Sequence, residues 1–211
     1  LVLVRHRRYL LRYVACSLVV VVPFVWYNLW LYQSVIPPYF APQKVGATRH
    51  FFEGLVGNLV SPARGLLVYA PVLGFSIWGA ARRLRHTHGD RALDVTLMAV
   101  VVIHWLVISS FPAWYGGHCY GPRYFTDVVP YLVYFLIPVF AGLPEFRGVR
   151  RAGLASFLVL CILASFFANG IGAVNRATES WNSTPADVDQ APHRVWDWSD
   201  PQFLRGIRAR P

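Results

Sequence analysis

The sequence predicts an all-α, multi-pass transmembrane helical bundle with about five spanning helices, an interfacial helix and an outer C-terminal tail. Three observations carry that fold class: an apolar composition, long runs without charge, and basic residues gathered between alternate runs. Hydrophobic residues make up 55% of the 211 and charged ones 14%, with a mean hydropathy of +0.41. A soluble domain carries roughly 25% charged residues. So much apolar surface cannot all be buried in one small soluble body, and a chain this rich in aromatics is not a disordered one. A disulfide scaffold is excluded as well, because Cys16 and Cys161 lie in apolar runs and leave Cys119 alone in a polar stretch.

The uncharged runs place spans near 13–32, 65–81, 93–112, 128–144 and 152–172. About 20 helical residues cross the roughly 30 Å hydrocarbon core, and about 17 is the lower limit. The first, third and fifth runs meet that length, while the second and fourth borrow flanking residues. Arg5, Arg7, Arg8 and Arg12 precede the first run, Arg82, Arg83, Arg85 and Arg91 follow the second, and Arg147, Arg150 and Arg151 follow the fourth. If the runs alternate, these clusters share one side and hold eleven of the twenty basic residues. The positive-inside rule then puts the N-terminus in the cytoplasm and the C-terminus outside. Residues 1–174 form the transmembrane domain on this basis, and 175–211 the outer tail. The net charge of +10 is thereby explained by lipid topology, with no nucleic-acid partner.

The first run is too long for a signal peptide and lacks a small-x-small cleavage site before Pro37-Pro38. The chain opens on Leu1, and the expectation is a fragment whose N-terminal half is missing. Nineteen arginines against one lysine hint at a GC-rich bacterial host.

In the first outer loop, Phe51, Phe52, Leu55, Val56, Leu59 and Val60 fall on one helical face with Glu53, Gly57 and Asn58 elsewhere. That pattern predicts a short helix lying in the interface, or simply a surface connector. Ser61-Pro62 closes it, and Arg64 stands at the outer mouth of the second span. The second loop, Pro112 to Asp127, concentrates Trp114, Tyr115, Gly116, Gly117, His118, Cys119, Tyr120, Gly121, Arg123 and Tyr124. An aromatic belt with a snorkelling Arg accounts for part of this. It does not call for three glycines, which permit φ > 0 and close approach to a ligand. Arg adds a planar fork suited to phosphate.

The tail brings Trp181, Trp196 and Trp198, an expected tryptophan-anchored cap, and a helix-start signature at Ser199-Asp200-Pro201. His86-Thr87-His88 lacks further ligands and is read as a solvated loop, so no metal or cofactor is expected. His104, inside the third span, is either functional or bonded to a neighbouring helix. Asp94 complements the start of a helix.

Trp114-Tyr115-Gly116-Gly117-His118-Cys119-Tyr120-Gly121-Pro122-Arg123-Tyr124, with Ser61 to Leu67 before it and Trp196 to Pro201 after it, resembles the C-terminal half of bacterial multi-pass GT-C-type glycosyltransferases. These are the protein O-mannosyltransferase and aminoarabinose-transferase class. The resemblance implies transfer of a sugar from a polyprenyl-phosphate donor to an acceptor on the outer face of the bacterial cytoplasmic membrane. It also implies a catalytic carboxylate in an earlier outer loop, which none of Glu53, Asp127 and Glu179 matches, so no catalytic residue is assigned and the fragment alone is expected to be inactive. The substrate-binding candidates are Arg123 and Arg64 for the phosphate, with Tyr120, Trp114 and His118 near the sugar or lipid head. The implied partners are the lipid bilayer, the polyprenyl-phosphate-linked sugar and the missing N-terminal half. A transporter or lipid flippase, or a non-catalytic membrane scaffold, remains the alternative.

Overall fold

The computed structural model describes residues 7–37, 50–85 and 90–207, so His86-Thr87-His88 and the basic residues at 5, 44, 49, 208 and 210 lie outside the described residues. Among the described residues the regular elements are helices, with no strand. Four of them are long and apolar enough to cross a membrane: Leu10–Tyr32, Arg91–Ser109, Arg123–Glu145 and Gly148–Val174. The chain is an all-α, multi-pass membrane protein, organised as two compact units, Leu1–Gly46 and Ala47–Pro211.

The first unit contains helix α1 (Leu10–Tyr32). Its 23 residues give a rod of about 35 Å at about 1.5 Å per residue, longer than the hydrocarbon core. Large apolar side chains stand exposed all around it, Leu11, Leu18, Val19, Val22 and Trp26 among them, the surface of a helix solvated by lipid. Its polar groups bond back to the helix: Ser17 Oγ donates to the Tyr13 carbonyl and Asn28 Nδ2 to that of Phe24, both at 2.9 Å.

The second unit runs through α2 (Phe51–Val60), α3 (Leu66–Tyr69), α4 (Phe75–Arg85), α5 (Arg91–Ser109), α6 (Val129–Gly142), α7 (Gly148–Val174) and α8 (Ala177–Ser180). The helix expected in the first loop is present, with its large apolar residues turned away from the protein. Gly54, Gly57 and Asn58 face inward, while Phe52, Val56 and Val60 are exposed. Lipid tails are as apolar as Phe or Val, so burying those side chains offers no advantage, whereas small residues let backbones approach.

The expected span at 65–81 is not one continuous helix, so four helices rather than about five are long and apolar enough to span among the described residues. Pro71 has no N–H and disfavours the α conformation at Ala70, which sits at φ −140°, ψ 64°. The segment becomes the single turn α3, a 3-10 turn at Pro71–Gly74, and α4. Groups freed by the break are met by α7: Asn169 Nδ2 donates to the Tyr69 carbonyl at 2.8 Å, and the Val72 N–H reaches Ser165 Oγ at 3.4 Å. Irregular backbone inside a membrane protein is tolerated where neighbouring helices satisfy it in this way.

Helices α4 and α6 pack backbone to backbone. Ser76 Oγ donates to the Leu132 carbonyl at 2.7 Å, and a Cβ on Gly79 would fall 1.7 Å from the Phe135 carbonyl oxygen. At one end of this unit Arg82, in the last turn of α4, pairs with Glu145 at 2.6 Å. Nearby Arg83 Nε and the Tyr134 hydroxyl both donate to Asp94 Oδ1 at 2.8 Å. Asp94 lies in the first turn of α5, as expected, while Asp90 caps the helix by accepting from the Leu93 N–H at 3.2 Å; buried Asp94 also ties α4, α5 and α6. The loop before α3, the loop between α5 and α6, and the tail after α7 meet at the other end.

Gly79→Val is expected to destabilise the second unit by about 1–3 kcal/mol or more, the usual cost of overpacking. Thermal unfolding in detergent, with Ile77→Val on the exposed face of the same helix as control, measures it.

Candidate functional site

The meeting point of the two loops and the tail is organised by one buried cation. Arg64 is 1% exposed, and its five N–H groups have five acceptors. Nε donates to the Tyr115 carbonyl at 2.7 Å, Nη1 to the Ala63 carbonyl at 2.9 Å and Gln202 Oε1 at 2.5 Å, and Nη2 to the Gly117 carbonyl at 3.0 Å and Asn182 Oδ1 at 2.9 Å. The guanidinium also lies 5.4 Å from the ring of Trp181, whose own N–H donates to the Asp200 carbonyl. Burial lowers the Arg64 pKa from its ordinary value. Full occupancy of the fork by oxygen lone pairs keeps the cation satisfied without a carboxylate.

The candidates named from the sequence divide here into two groups. Arg64 has no donor left for a phosphate. Trp114 is 2% exposed, and its indole fills the notch left by Gly54 and Gly57, where a Cβ would come within 3.0 Å of it. Tyr120 lies in a second notch, on Gly172 of α7, and its hydroxyl donates to the Ala168 carbonyl; burial raises its pKa to about 12. These three anchor the loop to the helices beneath it. Arg123 and His118, by contrast, are exposed.

Arg123 opens a 3-10 turn, Arg123–Val128, that leads into α6. Its backbone is held by its N–H to the Gly121 carbonyl at 2.9 Å and by Thr126 Oγ1 on its own carbonyl at 2.8 Å. Its side chain makes no hydrogen bond or ion pair among the described residues, Asp127 included. Gly121 has φ +61°, and a Cβ there would meet the Tyr69 ring at 2.9 Å. What approaches this glycine is therefore an aromatic side chain of the protein.

His118 faces the tail. Its Nε2 lies 3.0 Å from Asp187 Oδ1 and 3.9 Å from Asp189 Oδ2. The His118 bond and the Asp189 N–H lower the Asp187 pKa from the ordinary carboxylate value. Burial, followed by Asp189, pushes the Tyr115 hydroxyl up to about 12. Gly116 and Gly117, at φ +78° and +64°, make the left-handed turn that delivers His118 to this position.

The tail is a folded cap. Trp181, Val188 and Val195 join Ala63, Trp114 and Tyr115 in a core, with Trp196 against it, while Trp198 is exposed. The Ser199-Asp200-Pro201 signature leads only to one 3-10 turn, Gln202–Leu204. Gln202 and Asn182 received no weight in the sequence, since an isolated amide has no periodicity or spacing to mark it. Yet Gln202 is fully buried, accepting from Arg64 and donating to the Cys119 and Thr178 carbonyls. His104 has a structural partner, donating from Nε2 to the Tyr124 carbonyl at 2.5 Å. The three cysteines are free thiols.

No family model matches the chain, and no curated protein or solved structure does either.

Arg64→Lys supplies at most three donors to five acceptors, leaving two buried oxygens unpaired at about 1–3 kcal/mol each. The expected result is a tail that becomes sensitive to limited proteolysis between 181 and 205 at temperatures where the wild type resists it.

Proposed function

We propose that this protein takes part in glycosyl transfer at the outer face of the bacterial cytoplasmic membrane, with Arg123 binding the phosphate of a polyprenyl-phosphate-linked sugar. The observation that carries this is the state of Arg123: an exposed guanidinium with no ion pair among the described residues, on a fixed backbone, at the first residue of a membrane-spanning segment. That is headgroup depth, where a lipid-linked phosphate lies, and a planar fork binds phosphate in two bonds. Arg64, Trp114 and Tyr120 support the function from beneath, by holding the loop that presents Arg123.

In the reaction the acceptor hydroxyl oxygen bonds to the anomeric carbon as the bond from that carbon to phosphate breaks. The electron pair leaves with the polyprenyl phosphate, and the acceptor proton passes to a general base. Arg123 acts on the leaving side, where negative charge grows as the bond breaks.

The orientation follows from the charge distribution. The arginine-bearing end of α4 meets the segment before α7 through the Arg82–Glu145 pair, and the positive-inside rule makes that end cytoplasmic. With single cysteines at 87 and 118 in an otherwise cysteine-free background, an impermeant thiol reagent applied to intact cells is expected to label 118 and spare 87. The reverse pattern inverts the topology and removes an outer-face activity.

Arg123→Lys keeps the charge and loses the fork. A phosphate clamp should then lose about 1.5–3 kcal/mol, roughly tenfold or more in kcat/KM, with thermal stability unchanged. Transfer from a polyprenyl-phosphate sugar, measured on the purified complete gene product at equal folded protein, decides it; equal rates across donor concentrations exclude Arg123 from the site.

A further inference from the structure

His118, Asp187 and Asp189 offer one donor atom each, all within 4.8 Å of one another, and we propose that they form a binding site for a borderline divalent metal ion such as Zn²⁺. The site belongs to the loop between α5 and α6 and to the tail, segments 69 residues apart in sequence. It stands independently of the glycosyl-transfer function.

Donor spacing is the first support. His118 Nε2 and Asp187 Oδ1 are 3.0 Å apart, and Asp189 Oδ2 is 3.9 Å from the same nitrogen. Ligands bound to one cation at about 2.0–2.2 Å stand roughly 3 Å from each other, so a small inward turn of the exposed Asp189 side chain completes the set. Charge is the second. Two carboxylates converge on one imidazole in a chain that is otherwise strongly basic, and a divalent cation neutralises both where an imidazolium balances only one.

Rigidity is the third support, and it comes from outside the cluster. Buried Arg64 donates to the Gly117 carbonyl, next to His118. It also donates to Asn182 Oδ1, and the carbonyl of Asn182 accepts from the Val188 N–H at 2.8 Å, between Asp187 and Asp189. Val188 is itself fully buried. One guanidinium therefore fixes both halves of the site.

Ligand chemistry selects the ion. One imidazole nitrogen with two carboxylates suits a borderline cation, whereas Ca²⁺ and Mg²⁺ favour all-oxygen sets. Three protein ligands leave at least one coordination position for water or for an oxygen of a bound anion.

The test is titration of the purified whole protein with Zn²⁺ alone by calorimetry, and with Co²⁺ as a visible-absorption reporter of a nitrogen–oxygen site. One saturable Zn²⁺ per chain is expected, with affinity falling roughly tenfold or more in Asp189→Asn and in Asp187→Asn, and the Co²⁺ bands lost in His118→Ala. Asp189 is exposed, so its variant is expected to keep the wild-type thermal transition and to report on binding alone. Saturable binding that is unchanged in Asp189→Asn and Asp187→Asn, or no saturable binding to the wild type, overturns the proposal. Neither result depends on sugar transfer, so this site and the proposed activity fail separately.

Discussion

The buried guanidinium of Arg64 is the interaction on which one end of the second unit depends. A charge withdrawn from water is costly unless its hydrogen bonds are met, and here they are met by five neutral oxygens drawn from the loop before α3, the loop between α5 and α6, and the tail. Each oxygen is in turn placed by something else. Gln202 holds the Cys119 and Thr178 carbonyls through its amide nitrogen, Asn182 receives the Val188 N–H, and Trp181 stacks against both Arg64 and Arg194. Such a network leaves little freedom to the segments that carry Arg123 and His118, although neither residue belongs to it. A rigid loop surrenders less side-chain and backbone entropy when it binds anything than a floppy one does.

Packing between the helices follows the logic of a lipid solvent. The contacts that bring elements closest are made by glycine: Gly79 against the Phe135 backbone, Gly57 and Gly54 around Trp114, and Gly172 beneath Tyr120. Large apolar side chains such as Phe52, Ile103, Leu163 and Phe166 point outward. In water that arrangement would be ruinous. In a bilayer, burying Leu against Leu gains little over leaving it in hydrocarbon, so close backbone approach and satisfied polar groups decide which faces meet.

The interrupted segment at 66–85 shows how polar groups on one helix permit irregularity in another. Ser165 and Asn169 lie one turn apart on α7, and both reach the break created by Pro71. Beside that break run Tyr69, Tyr120 and Phe203, stacked edge to face. The discontinuity is thus embedded in protein, and it lies directly under the loop that Tyr120 pins.

The sequence by itself determined the class of the molecule and the rough position of its spans, because hydrocarbon thickness imposes a length and a lack of charge that are visible residue by residue. It located the second loop as the place of interest, since glycines, aromatics and Arg123 cluster within a few positions. It found the first-loop helix from its periodicity, which shows that two faces differ and leaves open what the glycine face meets; Trp114 fills that notch. It treated Arg64 and Arg123 alike, as two arginines at span ends. Tertiary structure alone separated them: the acceptors that saturate Arg64 arrive from positions 115, 117, 182 and 202, and no local pattern encodes where a distant carbonyl will point. For the same reason the sequence offered His118 as a candidate near the sugar or lipid head but gave no sign that the fold of the tail brings Asp187 and Asp189 to its ring.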